Sequence, residues 1–206
     1  MTGSLSRFEF AANPTAARRL MRRYASFFDG GPVADLGSGR GLFLEALRGR
    51  GIDGVGVDIS DEAMDHARRL GVECVQGDVL EFLRGASGLR GIFASHLIEH
   101  LPPEVAEEMI DLASKALTTG GRLVVVTPNL KDYRTLTEIF WLDTTHVRPY
   151  PGELIAAMAK RHGLTVDEVG RTFTQRNPRS LPGVVLGQLR FGRDFGSTEI
   201  FVRAHR

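Results

Sequence analysis

Val33-Ala-Asp-Leu-Gly-Ser-Gly-Arg-Gly41 sets three glycines at alternate positions directly behind a short apolar stretch that carries one acid. Such a stretch reads as a buried strand running into a tight turn. Gly37, Gly39 and Gly41 let the backbone bend sharply and approach a ligand with no Cβ in the way, and a helix starting near Arg40 aims its amides at that ligand. The spacing argues against a dinucleotide site, which needs G-x-G-x-x-G, because position 42 is Leu. Asp35 would also repel a pyrophosphate. An acid followed by G-x-G-x-G suits a ligand that carries positive charge.

Two acids follow at strand ends. Gly54-Val-Gly-Val-Asp-Ile59 reads as a second buried strand ending in Asp58, 19 residues after Gly39, where a carboxylate can accept both hydroxyl protons of a ribose. Val72-Glu-Cys-Val-Gln-Gly-Asp78 reads as a third strand with Asp78 just beyond it. Either acid alone also fits a helix N-cap, since helical patterns follow both. The three elements in this order resemble the cofactor motifs of class I S-adenosylmethionine (SAM) methyltransferases, over roughly Val33 to Thr127. That resemblance implies SAM over Gly37 to Gly41, Asp58 on the ribose, Asp78 on the adenine amino group and Val79 against the ring. Asp35, Ile59 and Ser95 complete the expected cofactor set, with Arg18 or Arg22 on the methionine carboxylate.

The rest of the chain keeps a βαβ rhythm. A helix is predicted over Pro14–Phe28, then strands near 33–37, 54–59, 72–76, 92–95 and 122–127. Helices are predicted at 40–49, 61–70, 79–84 and 103–117, the last closed by Gly120-Gly121. An aromatic and polar connection (Asn129–Tyr150), a helix over 151–162 and strands near 164–169 and 198–204 follow. The resemblance implies an α/β, Rossmann-like, seven-stranded sheet of order 3-2-1-4-5-7-6, strand 7 antiparallel, with helices on both faces. One domain over 1–206 is expected, with a helical N-terminal segment at 1–28 and a substrate cap at 173–196, too long for a plain hairpin connection.

Composition narrows the partners. With 206 residues and 42% hydrophobic content the chain supports a sizeable core, and a formal net charge of +1 offers no general attraction for nucleic acid. From Arg171 to Arg206 there are seven Arg against Asp194 and Glu199, a local excess suited to an anionic or polyhydroxyl acceptor or to a solvated surface. Cys74 is the single cysteine, so no internal disulfide forms. Residues 1–10 lack the apolar run of a secretory signal and no segment reaches ~20 apolar residues, so a cytoplasmic protein without a membrane partner is expected.

Chemistry should gather after the fourth and fifth strands, because ligands collect at the C-terminal edge of a parallel sheet. Ser95-His-Leu-Ile-Glu-His100 puts His96, Glu99 and His100 at i, i+3 and i+4, one face of a helical turn that can ligate a metal. The segment resembles the E-x-x-E-H metal motif of small-RNA 3′-end 2′-O-methyltransferases and quinone-pathway O-methyltransferases, with His96 where that motif has its first Glu. A magnesium or manganese ion held by His96, Glu99, His100 and His146 is one reading; support of the helix start by Glu99 and His100 is the other. In Phe140-Trp-Leu-Asp-Thr-Thr-His-Val-Arg-Pro-Tyr150, His146 is the candidate base or fourth ligand, oriented by Asp143. Trp141, Arg148 and Tyr150 are the candidate acceptor-binding residues. This stretch resembles methyltransferases encoded among bacterial polysaccharide genes. The expected reaction is O-methylation of a sugar hydroxyl in a glycan or oligosaccharide, most narrowly in methylmannose polysaccharide biosynthesis. Small-molecule O- or N-methylation and RNA ribose 2′-O-methylation are the alternatives, and a homodimer is compatible with the sequence.

Overall fold

A computed structural model describes residues 14–172, 188–189 and 196–206. Seven strands form one sheet in the order β3-β2-β1-β4-β5-β7-β6: β1 (Val33–Leu36), β2 (Gly54–Asp58), β3 (Glu73–Gln76), β4 (Leu89–Ser95), β5 (Leu117–Pro128), β6 (Thr165–Thr172) and β7 (Glu199–His205). Neighbours among β1 to β5 pair parallel, and β7 runs antiparallel to both β5 and β6. The helices are α1 (Pro14–Ala25), α2 (Leu42–Arg48), α3 (Asp61–Leu70), α4 (Val79–Gly85), α5 (Pro103–Ala116), α6 (Tyr133–Thr137) and α7 (Gly152–Arg161). The predicted sheet order and antiparallel strand are therefore present.

Both faces of the sheet are covered, so successive strand residues feed two different cores. Ala34, Leu36, Ile92, Ala94, Leu123 and Val125 pack with α5 and α7 through Met109, Ile110 and Ile155. Val33, Phe93, Val124, Val126 and Phe201 pack on the other face with Tyr24 and Phe28, from α1 and the turn after it, and with Phe43 and Leu47 of α2. Aromatic rings fasten that second layer: Phe43 stacks on Phe93 at 3.9 Å, and Phe28 meets Phe43 edge-on at 5.7 Å. No helix of the described residues is long and apolar enough to cross a membrane.

The Gly120-Gly121 pair does not follow a helix stop as predicted. Helix α5 ends at Ala116, and β5 already begins at Leu117, opposite Leu89 of a fourth strand that starts three residues earlier than expected. The register shifts between Leu89 and Gly91, and a Cβ on Gly121 would lie 3.0 Å from the Leu89 carbonyl. The glycines are thus strand residues at an irregularity, tied to the final strand by Gly120 N–H donating to Arg206 O at 2.8 Å. The Asn129–Tyr150 connection also holds more structure than predicted, because Asp132 caps α6 by accepting from Thr135 N at 3.0 Å. Apart from Gln188, Leu189 and Gly196, the expected cap at 173–196 lies outside the described residues, as do the first thirteen residues of the 1–28 segment.

Gly91 shows how little room the aromatic layer leaves: a Cβ there would sit 2.4 Å from the Phe28 ring and 3.0 Å from Val33. Gly91→Ala should lower stability by about 1–3 kcal/mol through overpacking. Urea unfolding with an unchanged midpoint would show that the α1 layer yields freely.

Candidate active site

Five strands deliver their C-terminal ends to one edge, and the glycine loop occupies its centre. Gly39 has φ 48°, and a Cβ there would meet nothing closer than the Gly37 carbonyl at 4.0 Å, so the loop presents bare backbone to open space. Its amide donates to Asp58 Oδ2 at 2.9 Å, while Ser60 N–H donates to Oδ1 at 2.9 Å. Asp58 is not the N-cap of α3; Ser60 takes that position and leaves the carboxylate at the strand end. Asp78 does cap α4, yet both amide bonds fall on Oδ1, from Leu80 at 2.8 Å and Glu81 at 3.0 Å. Its Oδ2 has no partner among the described residues. Ile59 is 77% exposed, an apolar side chain held out at the rim between these acids, and Val79 is half-buried nearby in sequence to Asp78. Open backbone, two strand-end carboxylates and an apolar rim fit an adenosine-bearing ligand.

The second half of the site joins the loops after β4 and β5. Glu99 sits in a 3-10 turn over Ile98–His100 and is fully buried. Its backbone carbonyl accepts from Val147 N at 2.9 Å and Arg148 N at 3.3 Å, which brings the His146 segment onto the His100 turn. Donor atoms of Glu99, His100 and His146 all lie within 4.8 Å of one another. Their partners assign the ring protons. His146 Nδ1 lies 2.6 Å from the Phe140 carbonyl, which can only accept, so Nδ1 carries hydrogen and Nε2 keeps its lone pair. His100 Nδ1 faces Thr145 O at 3.2 Å and Thr145 Oγ1 at 2.9 Å, whose own hydrogen goes to Asp143 Oδ1. His100 Nε2 is therefore the free lone pair as well. Two imidazoles so oriented beside a carboxylate are a donor set for a divalent first-row cation.

Other predicted residues are placed differently. His96 does not share a helical face with Glu99 and His100, because its backbone turns left-handed at φ 52°. Its Nδ1 and Nε2 face Glu99 Oε1 at 3.0 Å and Glu199 Oε1 at 3.1 Å, so both nitrogens are occupied by carboxylates, one of them the cluster's own Glu99. Burial works against charge on this ring, and the hydrogen bonds to Glu199 and Glu99 outweigh it, raising its pKa to about 10. Burial likewise disfavours ionised Glu99, but the His96 hydrogen bond and charge hold that carboxyl below its ordinary range. Asp143 does not orient His146 through Nδ1; Phe140 O does so, and Asp143 Oδ2 lies 4.0 Å from Nε2 instead.

Tyr150 is a core residue, 1% exposed with its hydroxyl on Leu101 O at 2.8 Å, and offers no ring to an acceptor. Arg148 lies over that ring at 5.0 Å. Trp141 is 62% exposed and its indole donates to Leu136 O, whereas Phe140 turns inward and stacks on His146 at 4.3 Å. Arg18 pairs with Glu45 of α2 at 2.9 Å, and with Arg22 it lines a groove of about 500 Å³ between α1 and α2. Ser95 ends β4 opposite Val126. Glu199, Thr127, Phe140 and Tyr24 were not singled out in the sequence. For Glu199 a signal existed: an acid opening an apolar antiparallel strand starts at the edge where the parallel strands finish.

Asp35 is 3% exposed, and burial, with the Asp58 charge adding to it, pushes its carboxyl up to about 8. Between the ordinary 3.8 and about 8 the folded chain keeps a proton that the unfolded chain has lost. Stability should therefore fall across that window as pH rises, by up to ~1.4 kcal/mol per pH unit. Asp35→Asn should remove this slope. Denaturant unfolding of both proteins at pH 5 and pH 8 checks it, and a difference that does not change with pH would count against a raised Asp35.

Comparison with known proteins bears on the fold and the family. A SAM-dependent methyltransferase from Archaeoglobus fulgidus superposes with a TM-score of 0.79 over 97% of each chain, at 24% sequence identity. The magnesium protoporphyrin IX methyltransferase of Synechocystis PCC 6803, solved with bound SAM, has a TM-score of 0.63, 15% identity, and coverage of 93% of this chain and 80% of its own. In sequence, the ubiquinone biosynthesis O-methyltransferase of Idiomarina loihiensis is 29% identical over 108 residues, 48% of this chain and 43% of the relative, so the match spans less than half of that protein. The sheet order is that of the class I methyltransferase fold. A family model described as a methyltransferase domain matches residues 8–169, and the chain belongs to that family.

Proposed function

We propose that this chain is a SAM-dependent O-methyltransferase acting on one hydroxyl of a neighbouring pair, on a sugar of a glycan or oligosaccharide, with a divalent cation at Glu99, His100 and His146. The observation that carries the reading is the cluster itself: ligand atoms of the two histidines His100 and His146 and of the buried Glu99 carboxylate all lie within 4.8 Å of one another. When bound, SAM supplies a methyl group on a sulfonium. The Gly37–Gly41 loop, Asp58 and Asp78 would hold its adenosine, with Ile59 against the flat base. A cation at the cluster, manganese or magnesium, supplies positive charge that lowers the pKa of a coordinated hydroxyl.

The chain's own residues would then have two tasks. Glu99, His100 and His146 would hold the cation, and through it the acceptor hydroxyls, at the edge that would also bind SAM. Bound SAM would supply the methyl carbon, the new C–O bond replacing the C–S bond, whose electron pair would pass to sulfur. Asp143 Oδ2, which lies 4.0 Å from His146 Nε2, is the oxygen available to take the acceptor's proton; without a cation, His146 Nε2 takes it. The name of the ubiquinone-biosynthesis relative supports oxygen as the methylated atom. It also favours a second reading, in which the hydroxyl belongs to a phenol.

Asp58→Ala should weaken SAM binding by about 1.5–3 kcal/mol, the worth of charge-assisted hydrogen bonds, in calorimetric titration. Unchanged affinity would remove Asp58 from the cofactor site. Repeating the titration in buffers of different ionisation enthalpy detects the proton that Asp35 gives up when a cationic ligand settles near it.

Activity on partially methylated mannose oligosaccharides should vanish in EDTA and return with manganese or magnesium, but should not return for His100→Ala. Full turnover in chelator would leave a metal-free enzyme with His146 as base. Turnover of catechols alone would establish the phenol reading.

A further inference from the structure

His96 is the one non-glycine residue with positive φ among those described, a conformation that costs of order 1 kcal/mol or more and persists only where surrounding contacts enforce it. The contacts are explicit. Nδ1 meets Glu99 Oε1 at 3.0 Å, and Nε2 meets Glu199 Oε1 at 3.1 Å. The two carboxylates are 0% and 2% exposed. Glu199 Oε2 accepts from the Tyr24 hydroxyl at 2.8 Å, and Thr172 Oγ1 lies 3.0 Å from that hydroxyl. One ring thus joins the end of β4 to the start of β7, which is joined in turn to α1 and the end of β6.

We infer that His96 is a positioning residue whose ring, bridged between Glu99 and Glu199, sets the direction of the Glu99 carboxylate toward His100 and His146 and thereby the cation affinity of that cluster. The inference rests on the proposed role of Glu99 as a cation ligand. Both ring nitrogens are occupied by carboxylates, at 3.0 and 3.1 Å, so neither is open to a cation and His96 is not a fourth ligand. Glu99 Oε1 is held by His96 and Oε2 by Thr127 Oγ1 at 3.2 Å. With the ring removed, Glu99 keeps Thr127 on Oε2 but loses the His96 contact at Oε1, and a buried carboxylate oxygen without that contact must turn to find another. Glu199 is the fixed outer post: it holds the far side of the ring and is itself held by Tyr24. Its substitution should act on Glu99 through His96.

The test uses three variants of the full chain. Asn tolerates left-handed backbone but is too short to span both carboxylates, so His96→Asn removes the bridge and keeps the turn. Mn2+ binding followed by electron paramagnetic resonance should weaken about 10- to 100-fold in His96→Asn, the usual range for outer partners of metal ligands. Glu199→Ala should weaken it similarly, whereas Glu199→Gln, whose amide oxygen still accepts from the ring, should stay close to wild type. SAM affinity and melting temperature report the integrity of the remaining fold. Its crystal structure should show the Glu99 carboxylate displaced by ~1 Å or more in His96→Asn, a shift large enough to loosen a site. Mn2+ affinity within twofold of wild type in His96→Asn, with Glu99 unmoved, would overturn the inference and leave the cation reading intact. A wild-type protein that takes up no Mn2+ would overturn the cation reading instead, and the position of Glu99 in the variant would still decide the role of His96. Should His96→Asn fail to fold, equal Mn2+ binding by Glu199→Ala and Glu199→Gln would overturn it.

Discussion

A carboxylate with no solvent exposure, that of Glu99, is the constraint around which the second half of the site is arranged. A buried charge is tolerable only when its oxygens are satisfied, and here an imidazole and a threonine hydroxyl satisfy them. The same residue's carbonyl takes two amides from the loop after β5, so one short turn fixes both its own side chain and the segment that bears His146. The ring of His146 is then set by Phe140 beneath it and by a carbonyl at Nδ1. Neither loop needs the regularity of a helix to be held, because the tertiary hydrogen bonds do that work.

The cofactor half depends on a different economy. The acids there stand at the ends of adjacent parallel strands, and the sheet alone sets their separation. This explains why that half was readable in the chain. A strand end, a glycine turn and an acid lie close in sequence, and their meaning is local. The glycine loop, Asp58 and Asp78 were placed at the strand edge in this way, and the sheet order followed from resemblance to a family.

The acceptor half was less legible for equally physical reasons. His96 bridges to an acid 103 residues away, and Tyr24 reaches the same acid across 175 residues; no spacing rule spans such distances. Helical periodicity placed His96, Glu99 and His100 together, but a left-handed residue at position 96 breaks the period it was read from. Among the aromatics of the connection, side-chain type did not reveal direction: Tyr150 and Phe140 turn into the protein, whereas Trp141 turns out. The Gly120-Gly121 pair illustrates the converse, since two glycines mark either a helix end or a strand irregularity, and only the pairing with Leu89 and Arg206 distinguishes them.

The antiparallel seventh strand carries a consequence for how such a molecule diversifies. Because β7 runs against β5, its first residue reaches the edge where the parallel strands end, and Thr172 at the close of β6 pairs with it there. Chain leaving at Thr172 and returning at Gly196 therefore departs from and rejoins the half of the edge near Glu99 and Glu199, while the glycine loop is built from the first strand and its neighbours. Insertion, deletion or exchange between those two anchors leaves the glycine loop, Asp58 and Asp78 unaltered in sequence. A chain of this topology can thus vary at one end of its sheet edge while the other end stays fixed.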